Sequence, residues 1–129
     1  MNGYSSNIEK ETLENDNFRK VLFTGKHMQL VIMALKVGED IGEEVHKTVD
    51  QFFRIEQGEC KVVIDGTEHN LTADMVAILP AGALHNVINT SQTESLKLYT
   101  IYSPANHPEG TVHATREEAM KAEEEEHHQ

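Results

Sequence analysis

The chain has 129 residues, 38% of them hydrophobic and none of them tryptophan, which is enough for one domain around one modest core. Its 22 acidic against 11 basic residues give a net charge of −11 at pH 7, arguing against nucleic acid or an anionic membrane as partner, since both would be repelled. Cys60 is the only cysteine, so no intramolecular disulfide can form; with no signal-like start and no membrane-length apolar run, the expected compartment is a reducing cytoplasm.

Residues 1–17 are polar and lack apolar periodicity, and are read as an amino-terminal arm, extended or loosely ordered, with a short turn over 8–13. A short strand is expected over 19–24. Residues 28–37 form a longer apolar run whose β-branched content and closing Gly38 favour a strand over a buried helix. Residues 50–56 alternate in strand fashion and stop at Gln57 and Gly58. Residues 60–65 and 67–71 flank Asp65-Gly66, a hairpin signal because both central turn positions need positive φ. The run 75–79, stopped by Pro80, reads as a strand buried on both faces, and 85–89 and 96–102 alternate again around a polar turn. Many short strands with no long helix between them indicate an antiparallel sandwich or barrel. Beyond Pro104 the texture changes: Thr115 and Glu118 have capping-box spacing, which predicts a helix over 116–125 fraying into 127–129. The glutamates 123–126 read as a solvated tail. The expected organisation is therefore an arm (1–17), a barrel (18–105) and a carboxyl-terminal extension (106–129).

Chemistry concentrates in two stretches. Glu44 and His46 are two apart in an extended segment and so share a face, Gln51 returns at the start of the next strand, and His85 follows a Pro/Gly corner. Imidazole, carboxylate and amide oxygen together suit a divalent first-row metal. Parity with Phe53 and Ile55 favours Gln51 over its neighbour Asp50, and parity with His46 favours Glu44 over Glu43. Phe53 and Ile55 would then line the cavity, while Phe52 and Arg54 face away toward a subunit interface. Tyr99 and Tyr102 fall on opposite faces of the last strand. His27, His69, His107 and His113 lie off this pattern and read as surface or supporting residues, Asn89 as a turn-holding residue and Cys60 as a small buried one. Glycine loops for phosphate, nucleophile elbows and Cys-x-x-Cys pairs are absent, which removes the residue basis for nucleotide-dependent, serine-hydrolase and dithiol chemistry.

The spacing from Gly38 through Glu44, His46 and Gln51 to Gly58, then Asp74, Pro80, Gly82, His85 and Asn89, resembles the two motifs of the cupins over roughly residues 20–105. Glu44 stands where that family's first histidine falls, Gln51 where its glutamate falls, and Asp74 where the second motif opens with glycine. The resemblance implies an all-β conical barrel, the double-stranded β-helix or jelly roll, with the short carboxyl-terminal helix appended, and commonly a homodimer. It also implies a metal centre at Glu44, His46, Gln51 and His85, holding Fe, Mn, Ni, Cu or Zn. Two functions are expected from it in the first place: metal-assisted chemistry on a small metabolite, of dioxygenase or Lewis-acid type, or non-catalytic binding of a small ligand. A sugar isomerase comes last, because the expected lysine and arginine cluster is missing.

Overall fold

In the computed structural model, which describes residues 2–127, ten strands and two helices follow one another as α1 (Ile8–Glu14), β1 (Arg19–Thr24), β2 (Gln29–Leu35), β3 (Glu44–Val45), β4 (Asp50–Gln57), β5 (Glu59–Ile64), β6 (Thr67–Thr72), β7 (Val76–Leu79), β8 (Leu84–Asn89), β9 (Leu96–Ser103), β10 (Val112–His113) and α2 (Arg116–His127). The strands form two antiparallel sheets, one ordered β10-β1-β2-β9-β4-β7 and the other β3-β8-β5-β6. This is the expected jelly-roll architecture.

Alternation explains the packing. Gln51, Phe53 and Ile55 of β4 turn inward with Leu98 and Thr100 of β9, Val31 and Met33 of β2, and Val62 of β5. Each fully buried large apolar side chain in this set contributes roughly 1.5–3 kcal/mol over its exposed state. Asp65 (φ 47°) and Gly66 (φ 83°) make the β5–β6 hairpin turn. Asp74 has φ 73°, a left-handed conformation that aspartate tolerates better than most residues, and its carboxylate accepts from Arg54 Nη2 at 3.0 Å.

Two expectations are corrected. The 75–79 strand is not buried on both faces: Ile78 is 62% exposed while Ala77 and Leu79 are buried, because β7 is the edge of the six-stranded sheet and shows its outer face to solvent. The amino-terminal arm is not loose either. Residues 8–14 form α1, capped by the Asn7 carboxamide accepting from Lys10 N at 3.1 Å, with Thr12 fully buried. Its end is pinned by Lys97, whose Nζ donates to Leu13 O (2.9 Å), Asn15 O (2.8 Å) and Asp16 Oδ1 (3.1 Å).

At the other end, the capping box forms with a variation. Thr115 Oγ1 accepts from Glu118 N at 3.1 Å, while the Glu118 carboxylate reaches back one residue further, to Ala114 N at 2.8 Å. Ala119 buries itself in the core, and Arg116 ties α2 to the barrel through Asp40, with Nη2–Oδ1 at 2.8 Å and Nε–O at 2.7 Å. The expected fraying over 127–129 falls largely on residues 128 and 129, outside the described residues. Among the described residues no helix is long and apolar enough to cross a membrane.

Candidate functional site

Of the residues singled out by spacing, Glu44, His46 and His85 arrive at one place by different routes. Glu44 on β3 lies opposite His85 on β8, so their side chains share the inner face. His46 follows β3, and its carbonyl accepts from Gly82 N at 2.8 Å; Asp50, on the outward side as parity required, accepts from Ala81 N at 2.8 Å. These two bonds fasten the Pro80–Gly82 corner, where Gly82 takes φ 90°, and bring the His46 and His85 rings to 5.1 Å between centroids. Glu44 Oε2 is 3.4 Å from His46 Nε2.

Gln51 comes from β4, where it pairs with Tyr102 of β9, whose ring meets His46. It is buried, it donates through Nε2 to Thr100 Oγ1 at 3.0 Å, and its Oε1 is buried with no hydrogen-bond partner among the described residues. Phe53 and Ile55 point the same way but belong to the packed core. The opening beside the site is a cavity of about 300 Å³, lined by Glu43, Glu44, Val45, His46, Asn106, His107 and Glu123.

Burial sets the protonation of these groups. It lowers His46 to about 4, helped by His85 and by the charge of Arg19, and it lowers His85 as well. Because Ala83 O can only accept, the 3.1 Å contact assigns the His85 proton to Nδ1 and leaves the Nε2 lone pair available. Glu44 is raised to about 7 by burial first and by Glu123 second, against the pull of Arg19. Near neutral pH the site therefore presents two neutral imidazoles and a carboxyl group able to take or give a proton.

Two imidazole lone pairs, a carboxylate and an orphaned amide oxygen have the donor chemistry of a divalent first-row metal site, and the orphaned Gln51 oxygen is the observation that favours the fit. Among the described residues, however, no three His, Cys, Asp or Glu side chains stand in metal-holding geometry. Glu44 instead leans on His46.

Sequence reading missed several neighbours. Tyr102 pairs with Gln51 across the β4–β9 ladder and is buried; its ring meets His46 edge-on at 5.9 Å, and its hydroxyl is 3.2 Å from His107 Nε2. Burial raises the Tyr102 hydroxyl and lowers His107 to about 3. Tyr99 faces outward and stacks near Phe52. His107 is thus part of the wall; it is held there by Gln29, whose Oε1 accepts from His107 N (3.0 Å) and whose Nε2 donates to His107 O (2.8 Å). Arg19, inward on β1 and fully buried, meets Glu123 of α2 at 3.2 Å. Asn89 serves as expected, its Nδ2 donating to Leu35, Lys36 and Glu94 carbonyls, and Cys60 is buried with its thiol pushed up to about 12.

Known proteins place these features in context. A family model described as a cupin domain matches residues 31–102. The chain is 50% identical over 123 residues to the uncharacterized protein YrkC of Bacillus subtilis, covering 91% of this chain and 66% of that one, slightly less than two thirds of its length. It is 47% identical over 117 residues to the uncharacterized protein L612 of Acanthamoeba polyphaga mimivirus, covering 88% of this chain and 72% of that one. The crystal structure of BH2720 from Bacillus halodurans superposes with a TM-score of 0.91 at 43% identity, over 93% of this chain and 95% of that one.

Proposed function

Because the chain belongs to the cupin family, we propose that its barrel holds a divalent metal ion through Glu44, His46, Gln51 and His85 and acts on a small metabolite by metal-assisted chemistry. The observation that carries this reading is the buried Gln51 Oε1: an unpaired amide oxygen costs about 1–3 kcal/mol, and a ligand that accepts its lone pair would repay it. The chemistry such an ion supplies when bound is polarisation of a ligand oxygen or activation of dioxygen. The chain's own groups do the rest. The Ala83 carbonyl fixes the His85 tautomer, Thr100 orients the Gln51 amide, and Glu44, raised to about 7, is the group able to exchange a proton with a ligand. The wall of Tyr102 and His107 limits the reactant to a small molecule in a cavity of about 300 Å³.

Elemental mass spectrometry on untagged protein tests the reading. Near-stoichiometric iron, manganese, nickel, copper or zinc is expected, lost in a Gln51→Ala, His85→Ala double variant. A metal-free wild type that still folds would remove the metalloenzyme and leave a second reading, a non-catalytic small-ligand module. That reading draws on the described residues, among which no three His, Cys, Asp or Glu side chains stand in metal-holding geometry. A sugar isomerase remains the weakest reading, since no cluster of lysine and arginine lines the cavity among the described residues. The proposed assembly is a homodimer through the outer row Phe52, Ile78 and Ile101, and the proposed compartment is a reducing cytoplasm, which suits a lone buried thiol.

A further inference from the structure

An arginine buried to 0% exposure must find its compensation inside the protein, because its guanidinium stays charged. Arg19 finds only part of it. Nη1 lies 3.2 Å from Glu123 Oε1 and 3.5 Å from His113 Nδ1, and the guanidinium carbon stands 5.5 Å from the Phe18 ring centre. Nε and Nη2 are buried with no hydrogen-bond partner among the described residues. Those two nitrogens form one edge of the guanidinium, whose parallel N–H bonds match the two oxygens of a carboxylate.

The guanidinium and the cavity meet through Glu123. Arg19 is on the inner face of β1, and its charge bears on Glu44, His46, Tyr102 and His107 alike. Its carboxylate contact among the described residues, Glu123, is itself part of the cavity lining and is carried by α2. Reaching the guanidinium from the cavity therefore means moving Glu123 aside.

We propose that Arg19 is the carboxylate-recognition residue behind this cavity, and that its ligand is a small monocarboxylate that enters from the cavity and displaces Glu123, on α2, from the guanidinium. A monoanion fits better than a phosphate because Glu43, Glu44 and Glu123 line the same cavity beside a single buried guanidinium, so a second negative charge on the ligand would go uncompensated. That the far end of the ligand meets the His46 and His85 end rests on the proposed function; the carboxylate site itself does not.

Calorimetric titration of chelator-treated protein tests this with three probes: lactate, its neutral counterpart lactamide, and inorganic phosphate. Lactate alone is expected to bind. Glu123→Gln removes the internal competitor and is expected to tighten lactate about tenfold, whereas Arg19→Lys, keeping the charge but not the fork, weakens it at least tenfold. Should Arg19→Lys fail to fold, the Glu123→Gln comparison still decides. Lactate that fails to bind, lactamide or phosphate binding equally well, or Glu123→Gln leaving the affinity unchanged would each overturn the proposal. Since no metal is present, protein that binds lactate but never takes up metal sinks only the metal reading, and protein that loads metal but ignores lactate sinks only this one.

Discussion

Glu44 and His85 sit directly opposite one another in the β3–β8 ladder, so the carboxylate of the candidate site and one of its imidazoles are placed by a single register. A slip of β3 by one residue would turn Glu44 away from the cavity, while His85 is also held by the β5–β8 ladder. The site is therefore only as secure as a two-residue strand, and the bonds from Gly82 N to His46 O and from Ala81 N to Asp50 carry much of that security.

Glu44 gives a pH signature in metal-free protein. Its folded value, about 7, lies above its ordinary 4.5, so the folded state resists its ionisation and loses stability as pH rises from 4.5 through 7. Glu44→Gln is expected to raise the unfolding free energy by roughly 2 kcal/mol at pH 8 and to leave it unchanged at pH 4. Urea melts at the two pH values check this; an equal effect at both would refute it. His46 and His107 act in the opposite direction: lowered to about 4 and about 3 from 6.5, they favour the folded state while neutral, and that contribution drains away as pH falls below 6.5.

Gln51→Met removes a buried unpaired oxygen and keeps the volume. Metal-free protein should gain about 1 kcal/mol, while metal retention under competition with a chelator should fall at least tenfold. A variant that is both less stable and equally metal-loaded would show that Gln51 is there for its bond to Thr100.

Lys97→Met keeps the aliphatic stem and loses three contacts to the amino-terminal segment. Hydrogen bonds of a charged group are each worth about 1.5–3 kcal/mol, with losses partly offset by rehydration, so a net destabilisation of about 2 kcal/mol is expected. Limited proteolysis should then cut within residues 2–17 in the variant before it cuts the wild type.

Gly58 and Gly38 allow a paired test of crowding against backbone strain. Both have positive φ, but a Cβ at Gly58 would meet Ser95 O at 3.0 Å, whereas none of the described residues comes within 4 Å at Gly38. Gly38→Ala should cost about 1 kcal/mol and Gly58→Ala clearly more, measured as a difference in thermal midpoint.

An Ile78→Glu variant addresses the assembly. Ile78 is 62% exposed and paired with Phe52, which in turn pairs with Ile101, so a charge there interrupts the outer apolar row without touching the core. Sedimentation equilibrium should show a dimer for the wild type and a monomer for the variant; a monomeric wild type would remove the interface.

How far the sequence could be read depended on whether a residue's neighbours were near in the chain. Gln51 was separable from Asp50 because strand parity is local, and the Asp65-Gly66 turn is legible for the same reason. The motif spacing held through Asp74 because the backbone there keeps the left-handed turn that glycine would have taken. Helix α1 was not legible: seven residues without apolar periodicity become a helix because Lys97, more than eighty positions away, holds their end. Arg19 was hidden by a strand with apolar residues on both faces, so parity gave no side. His107 comes from the segment after β9, where no period applies, and is placed by Gln29.

Tyr102 has a practical consequence. The chain has three tyrosines and no tryptophan, so its intrinsic ultraviolet emission comes from Tyr4, Tyr99 and Tyr102 alone. Of these, Tyr102 touches the rings of His46 and His107 at the cavity, while Tyr99 lies on the outer sheet face and Tyr4 stacks on Phe23. An open-shell ion or a ligand entering the barrel would quench one fluorophore in three, and a Tyr102→Phe variant would erase that response. The protein carries its own occupancy reporter.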